Sequence, residues 1–76
     1  MKRVRTGKLY RYDPVMLDVI RPTRKTSELN PGDVVRVINL VGAPPANTMG
    51  QCYVAHPDTG QFIGMVSVAS LHPVSD

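Results

Sequence analysis

The chain has 76 residues, 42% hydrophobic and 20% charged, with nine lysines and arginines against six aspartates and glutamates and a net charge of +3. That length makes one domain with a small core, and the single cysteine, Cys52, excludes both an intrachain disulfide and a cysteine metal cluster. Residues 1–36 hold nine basic and four acidic groups, whereas residues 37–76 hold only Asp58 and Asp76, so the chain has one basic end.

In chain order, residues 1–7 read as a basic N-terminal arm and residues 8–76 as a single domain. "KLYRY" at 8–12 reads as a first strand or extended arm. "VMLDVI" at 15–20 reads as a second extended stretch with Val15, Leu17 and Val19 on one face, because the flanking Asp13-Pro14 and Arg21-Pro22 leave room for only about two helical turns. "RPTRKTSELNPGD" reads as a long loop closed by a type II turn at 30–33, where Pro31 presets φ and Gly32 takes the positive-φ position. "VVRVINLV" at 34–41 is the strongest strand signal, with Arg36 breaking one face.

The next segment, "GAPPANTMG" at 42–50, carries no charge, and Pro44 and Pro45 bar it from helix or central strand. "QCYVAH" is a strand, and "HPDTGQF" is a hairpin connection with Gly60 in the left-handed position. "QFIGMVSV" is a further strand in which Gly64 fits a bulge or bend. "ASLHPV" closes with a short helical turn and a last strand. These short β-branched runs, broken by Gly and Pro, predict an all-β fold built as a small five-stranded barrel. The expected core is Leu9, Val15, Leu17, Val19, Val35, Val37, Cys52, Val54, Ile63, Met65, Leu71 and Val74.

The order "KLYRYDP", long loop, "SELNPGDVVRVINL", then "YVAHPDTGQFIGMVSVASLHPV" resembles the layout of Src-homology-3-like barrels over residues 8–74. The resemblance implies a long first hairpin and a short helical turn before the last strand. It also matches Tyr10 and Tyr12 to the tyrosines that line a proline-peptide groove in signalling members. Gln51 and Cys52 stand where the groove tryptophan belongs, "SVAS" at 67–70 replaces Pro-Ser-Asn-Tyr, and "RPTRKT" reverses the charge of the acidic loop. The resemblance therefore implies the scaffold and not a polyproline receptor.

Catalysis is not expected. "TGKLYR" lacks the first glycine of a phosphate-binding loop, Asp33 and Asp58 sit beside turn glycines that explain them, and Cys52 reads as a small buried hydrophobe. His56 and His72 are each followed by proline, which suits strand ends better than metal ligands, and neither a metal nor a cofactor is expected. With no signal-peptide core and no apolar run of about 18–20 residues, a cytoplasmic location is expected.

Two interaction readings follow. In the first, the 42–50 loop binds a protein partner or a second copy, with Pro44, Pro45 and Met49 at its centre and Tyr53, Tyr10 and Tyr12 around it. In the second, Lys2, Arg3, Arg5, Lys8 and Arg11 of the arm and first strand, with Tyr10 and Tyr12 interleaved as stacking surfaces and Arg21, Arg24 and Lys25 of the long loop, bind RNA or DNA.

Overall fold

The computed structural model describes residues 4–41 and 50–74. Five antiparallel strands, β1 (Leu9–Tyr12), β2 (Val34–Val41), β3 (Gln51–Ala55), β4 (Phe62–Ser67) and β5 (Leu71–Pro73), form one sheet in the order β4-β3-β2-β1-β5. The all-β expectation is met in this coarser form: the sheet is open, and no ladder joins β4 to β5 among the described residues. A short helix, α1 (Met16–Ile20), and a 3-10 helix, Arg24–Glu28, lie between β1 and β2; a 3-10 turn, Val68–Ser70, precedes β5.

Helix α1 corrects the extended reading of residues 15–20. Pro22 pushes Arg21 out of helical geometry (φ −132°, ψ 63°), which ends the helix after five residues. So short a helix has little stability of its own, and tertiary contacts through Asp18 hold it in place.

The turn at 30–33 forms as read: the Asp33 amide donates to the Asn30 carbonyl at 3.0 Å, and Gly32 has φ +97°. At the second hairpin Gly60 has φ +76°, and the His56 amide donates to the Gln61 carbonyl at 2.9 Å.

The core gathers Val4, Tyr10, Tyr12, Val35, Val37, Cys52, Val54, Ile63, Val66, Val68 and Leu71. Six expected members are there. Leu9, Leu17, Val19 and Val74 are instead exposed, and Val15 and Met65 are half-buried. Two bulges account for part of this. The β2–β3 register shifts between Val37 and Asn39, which leaves Ile38 exposed, and the β3–β4 register shifts between Val54 and Ala55. Because Ala55 pairs with Phe62 and Val54 with Gly64, Ile63 is the extra residue. Inward facing then passes to Val66 rather than Met65.

The bulge expected near Gly64 is therefore present, but the glycine itself answers a second demand. A Cβ there would lie 2.6 Å from the Thr23 carbonyl oxygen and 2.7 Å from Thr26 Cγ2. That close approach lets the Thr23 hydroxyl meet the β4 backbone, accepting from the Met65 amide (2.7 Å) and donating to the Met65 carbonyl (2.8 Å).

The N-terminal segment is packed from residue 4 onward. Val4 is in the core, the Arg5 amide donates to the Tyr10 hydroxyl (2.8 Å), and the Gly7 amide donates to the Val37 carbonyl (2.7 Å).

Candidate functional site

Helix α1 is built inside out. Its one charged residue, Asp18, is only 8% exposed, while Met16 and Ile20 are 73% and 65% exposed and Leu17 and Val19 also face solvent. The buried carboxylate is fully engaged. The Ser67 amide donates to both oxygens (3.0 and 3.2 Å), the Ser67 hydroxyl donates to Oδ1 (3.0 Å), and the Ser70 hydroxyl donates to Oδ2. Ser70 Oγ in turn accepts from the Val15 amide at 3.0 Å. Asp18 thus ties α1 to the end of β4 and the turn before β5, and this orientation turns the apolar side chains outward.

Asp13 and Arg21 flank this apolar stretch, and both are exposed. Along the chain, the apolar stretch therefore lies between one exposed acid and one exposed base. Sequence reasoning missed it, because alternation over an extended stretch would have turned Asp18 out and its neighbours in.

Of the residues expected to bind a protein partner, Tyr10 and Tyr12 are corrected: both are buried in the core, at 5% and 3% exposure, and offer a partner little more than an edge, Tyr10 in the floor of the groove described below. Tyr53 is exposed and stands beside Phe62, with ring centroids 5.7 Å apart and planes inclined by 58°. Pro44, Pro45 and Met49 lie outside the described residues, as do Lys2 and Arg3.

The remaining basic residues are not one patch. Arg5, Lys8 and Arg36 line an open groove of about 620 Å³ together with Leu9 and Val74, and no carboxylate lines it among the described residues. Arg36 was not among the residues expected to bind nucleic acid. Arg21 instead borders a small cavity with Leu17 and Gln51, Lys25 borders another with His56 and Ile63, and Arg24 begins the first 3-10 helix. Arg11 is exposed on β1. Arg21 and Lys25 therefore border cavities that hold none of Arg5, Lys8 and Arg36.

Cys52 is buried, and burial, with a smaller push from the Asp18 carboxylate, raises its thiol from 9.0 to about 12. Such a thiol is protonated at neutral pH and does not act as a nucleophile there. Burial and Asp18, in that order, also raise the Tyr12 phenol above 10.0. The folded protein holds both protons more tightly than the unfolded chain. The contribution of Cys52 to stability is thus complete below about pH 9 and is lost as pH rises through its folded-state pKa of about 12. Urea midpoints measured at rising pH are expected to fall from pH 9 upward, and Cys52→Ala should make that fall shallower; parallel curves for the two proteins would refute the role of Cys52.

Among the described residues, no three His, Cys, Asp or Glu side chains form a group able to hold a metal ion, and no helix is long and apolar enough to cross a membrane. Comparison with family models, curated proteins and solved structures found no match to this chain.

Proposed function

We propose that this chain is a non-catalytic interaction module on a Src-homology-3-like scaffold, and that it pairs with a second copy of itself through α1. The scaffold reading is supported by the placement of β1 between β2 and β5, the long connection from β1 to β2, and the 3-10 turn before β5. The observation that carries the functional reading is the outward display of Met16, Leu17, Val19 and Ile20 from a helix whose only charge is turned inward. The largest apolar patch on a monomeric protein is itself about 300–600 Å² and often marks a contact site.

The flanking charges favour a second copy as the occupant. Two α1 helices packed antiparallel about a two-fold axis bring Asp13 of each copy to Arg21 of the other, with the apolar residues between. A two-fold interface requires this self-complementarity. Stable complexes bury roughly 1,200 Å² or more in total, and a contact made by one five-residue helix from each copy is expected to be weak and to form with rising concentration.

Sedimentation velocity over a concentration series is expected to show reversible dimerisation. Ile20→Ser should abolish it, Asp13→Arg should weaken it, and Asp13→Arg combined with Arg21→Asp should restore it. A parent protein that stays monomeric throughout, or a dimer indifferent to Ile20→Ser, would overturn the reading. Capture of a different protein through Ile20 by a monomeric parent would also count against pairing with a second copy.

A further inference from the structure

The outer face of the sheet brings together residues that no sequence motif connects. On β1, Tyr10 and Tyr12 point into the core, so Leu9 and Arg11 point out. Leu9 pairs with Arg36, Arg36 with Ala55, and Ala55 with Phe62, which sets these four residues in one row across β1, β2, β3 and β4. Residues directly opposite in an antiparallel pair share a face. Ala55 is buried yet stands outside the core cluster, consistent with a place beneath its larger neighbours in the row. Tyr53, two residues before Ala55 on the same strand, lies against Phe62. With a strand spacing of about 4.8 Å, the aromatic pair on β3 and β4 lies roughly 10 Å from the Arg36 position on β2.

Arg36 is the fixed centre of this face. Its guanidinium donates to the Gly7 carbonyl at 2.7 Å and to the Pro57 carbonyl at 3.5 Å, which leaves further N–H donors on the same group. Beyond it the face continues into the groove that holds Arg5 and Lys8. One end is thus cationic, with no lining carboxylate among the described residues, and the other is an exposed aromatic pair.

We propose that this face binds single-stranded nucleic acid, with Tyr53 and Phe62 stacking on bases and Arg36, Lys8 and Arg5 meeting consecutive phosphates. Single strands are held by this combination: a cationic track for the backbone, and aromatic faces that accept any base. A duplex keeps its bases stacked inside and could use only the cationic part. The arrangement replaces the earlier grouping, in which Tyr10 and Tyr12 were to stack and the loop bases were to help. It does not depend on pairing through α1.

The test uses fluorescence anisotropy of the full chain with a labelled single-stranded oligothymidylate and with a labelled DNA duplex. The single strand is expected to bind more tightly. Log affinity should fall with log salt at a slope of about −2, as for three phosphates on a single strand. Tyr53→Leu and Phe62→Leu keep apolar bulk and remove the aromatic faces; each should lower affinity for the single strand about tenfold, within the range for one stacked base. Neither should change the salt slope or duplex binding. Arg5→Ala with Lys8→Ala should flatten the slope for both probes. Thermal melts establish that each variant is folded. Absence of binding at low salt would overturn the proposal. Equal affinity for single strand and duplex, or leucine variants that bind like the parent, would overturn it too, leaving general attraction to polyanions.

Discussion

Asp18→Ala is expected to leave the protein largely unfolded or close to it. The substitution removes the acceptor for one main-chain amide and two hydroxyls, all buried, and cuts the tie between α1 and the Ser67–Ser70 segment. Each buried polar group left without a partner costs about 1–3 kcal/mol. At roughly 0.05–0.15 kcal/mol per residue, a chain of this size has only about 4–11 kcal/mol in total. Urea denaturation followed by far-ultraviolet circular dichroism checks this. Asp18→Asn keeps one acceptor oxygen and should fall between parent and alanine variant. A loss below about 1 kcal/mol for the alanine variant would show that the carboxylate is not needed to hold α1.

Gly64→Ala should be the second most damaging substitution, and for a different reason from changes at other glycines. The added methyl would sit 2.6 Å from a carbonyl oxygen of Thr23 and 3.0 Å from Thr23 Oγ1, and the backbone oxygen cannot rotate away. Either the Thr23–Glu28 segment lifts from β4 or β4 shifts, and both break the pair of hydrogen bonds between the Thr23 hydroxyl and Met65. Overpacking of this kind costs about 1–3 kcal/mol, and two lost hydrogen bonds add about 1 kcal/mol each. Gly60→Ala makes the comparison. There φ is +76° with open space around the added carbon, so only the left-handed backbone is penalised, at about 1–2 kcal/mol. Denaturation midpoints should therefore rank parent above Gly60→Ala and Gly60→Ala above Gly64→Ala; a reversed order of the two variants would contradict the close-approach argument.

The turns and strands with local signals were legible in the sequence. Asn30-Pro31-Gly32-Asp33 and the left-handed Gly60 depend on backbone preferences that act within four residues. β2 announced itself through its β-branched run. The face of β1 was legible in principle: Leu9 and Arg11 share one side and Tyr10 and Tyr12 the other, and an arginine is a poor core residue. Arg11 should have turned the tyrosines inward. Met65 was misassigned because Gly64 marked a bulge or bend without showing that Ile63 is the extra residue, and so without showing where strand parity changes. Helix α1 could not be read locally. Its orientation is set by Ser67 and Ser70, 49 and 52 residues away from Asp18, and only the fold brings those hydroxyls to the carboxylate. The row from Leu9 to Phe62 is likewise a product of register across four strands.

The hydroxyl of Thr23 has a consequence for solubility. β4 ends the sheet, and an outermost strand offers its amides and carbonyls to any passing chain, which is how fibrils extend. Thr23 occupies both the amide and the carbonyl of Met65, in the middle of that strand, and the glycine at position 64 lets it sit close enough to do so. At the other end of the sheet β5 has only three residues and finishes in Pro73, which has no amide hydrogen to offer. With both margins blunted, strand-by-strand growth is disfavoured, and copies of this chain are left to meet through their side chains.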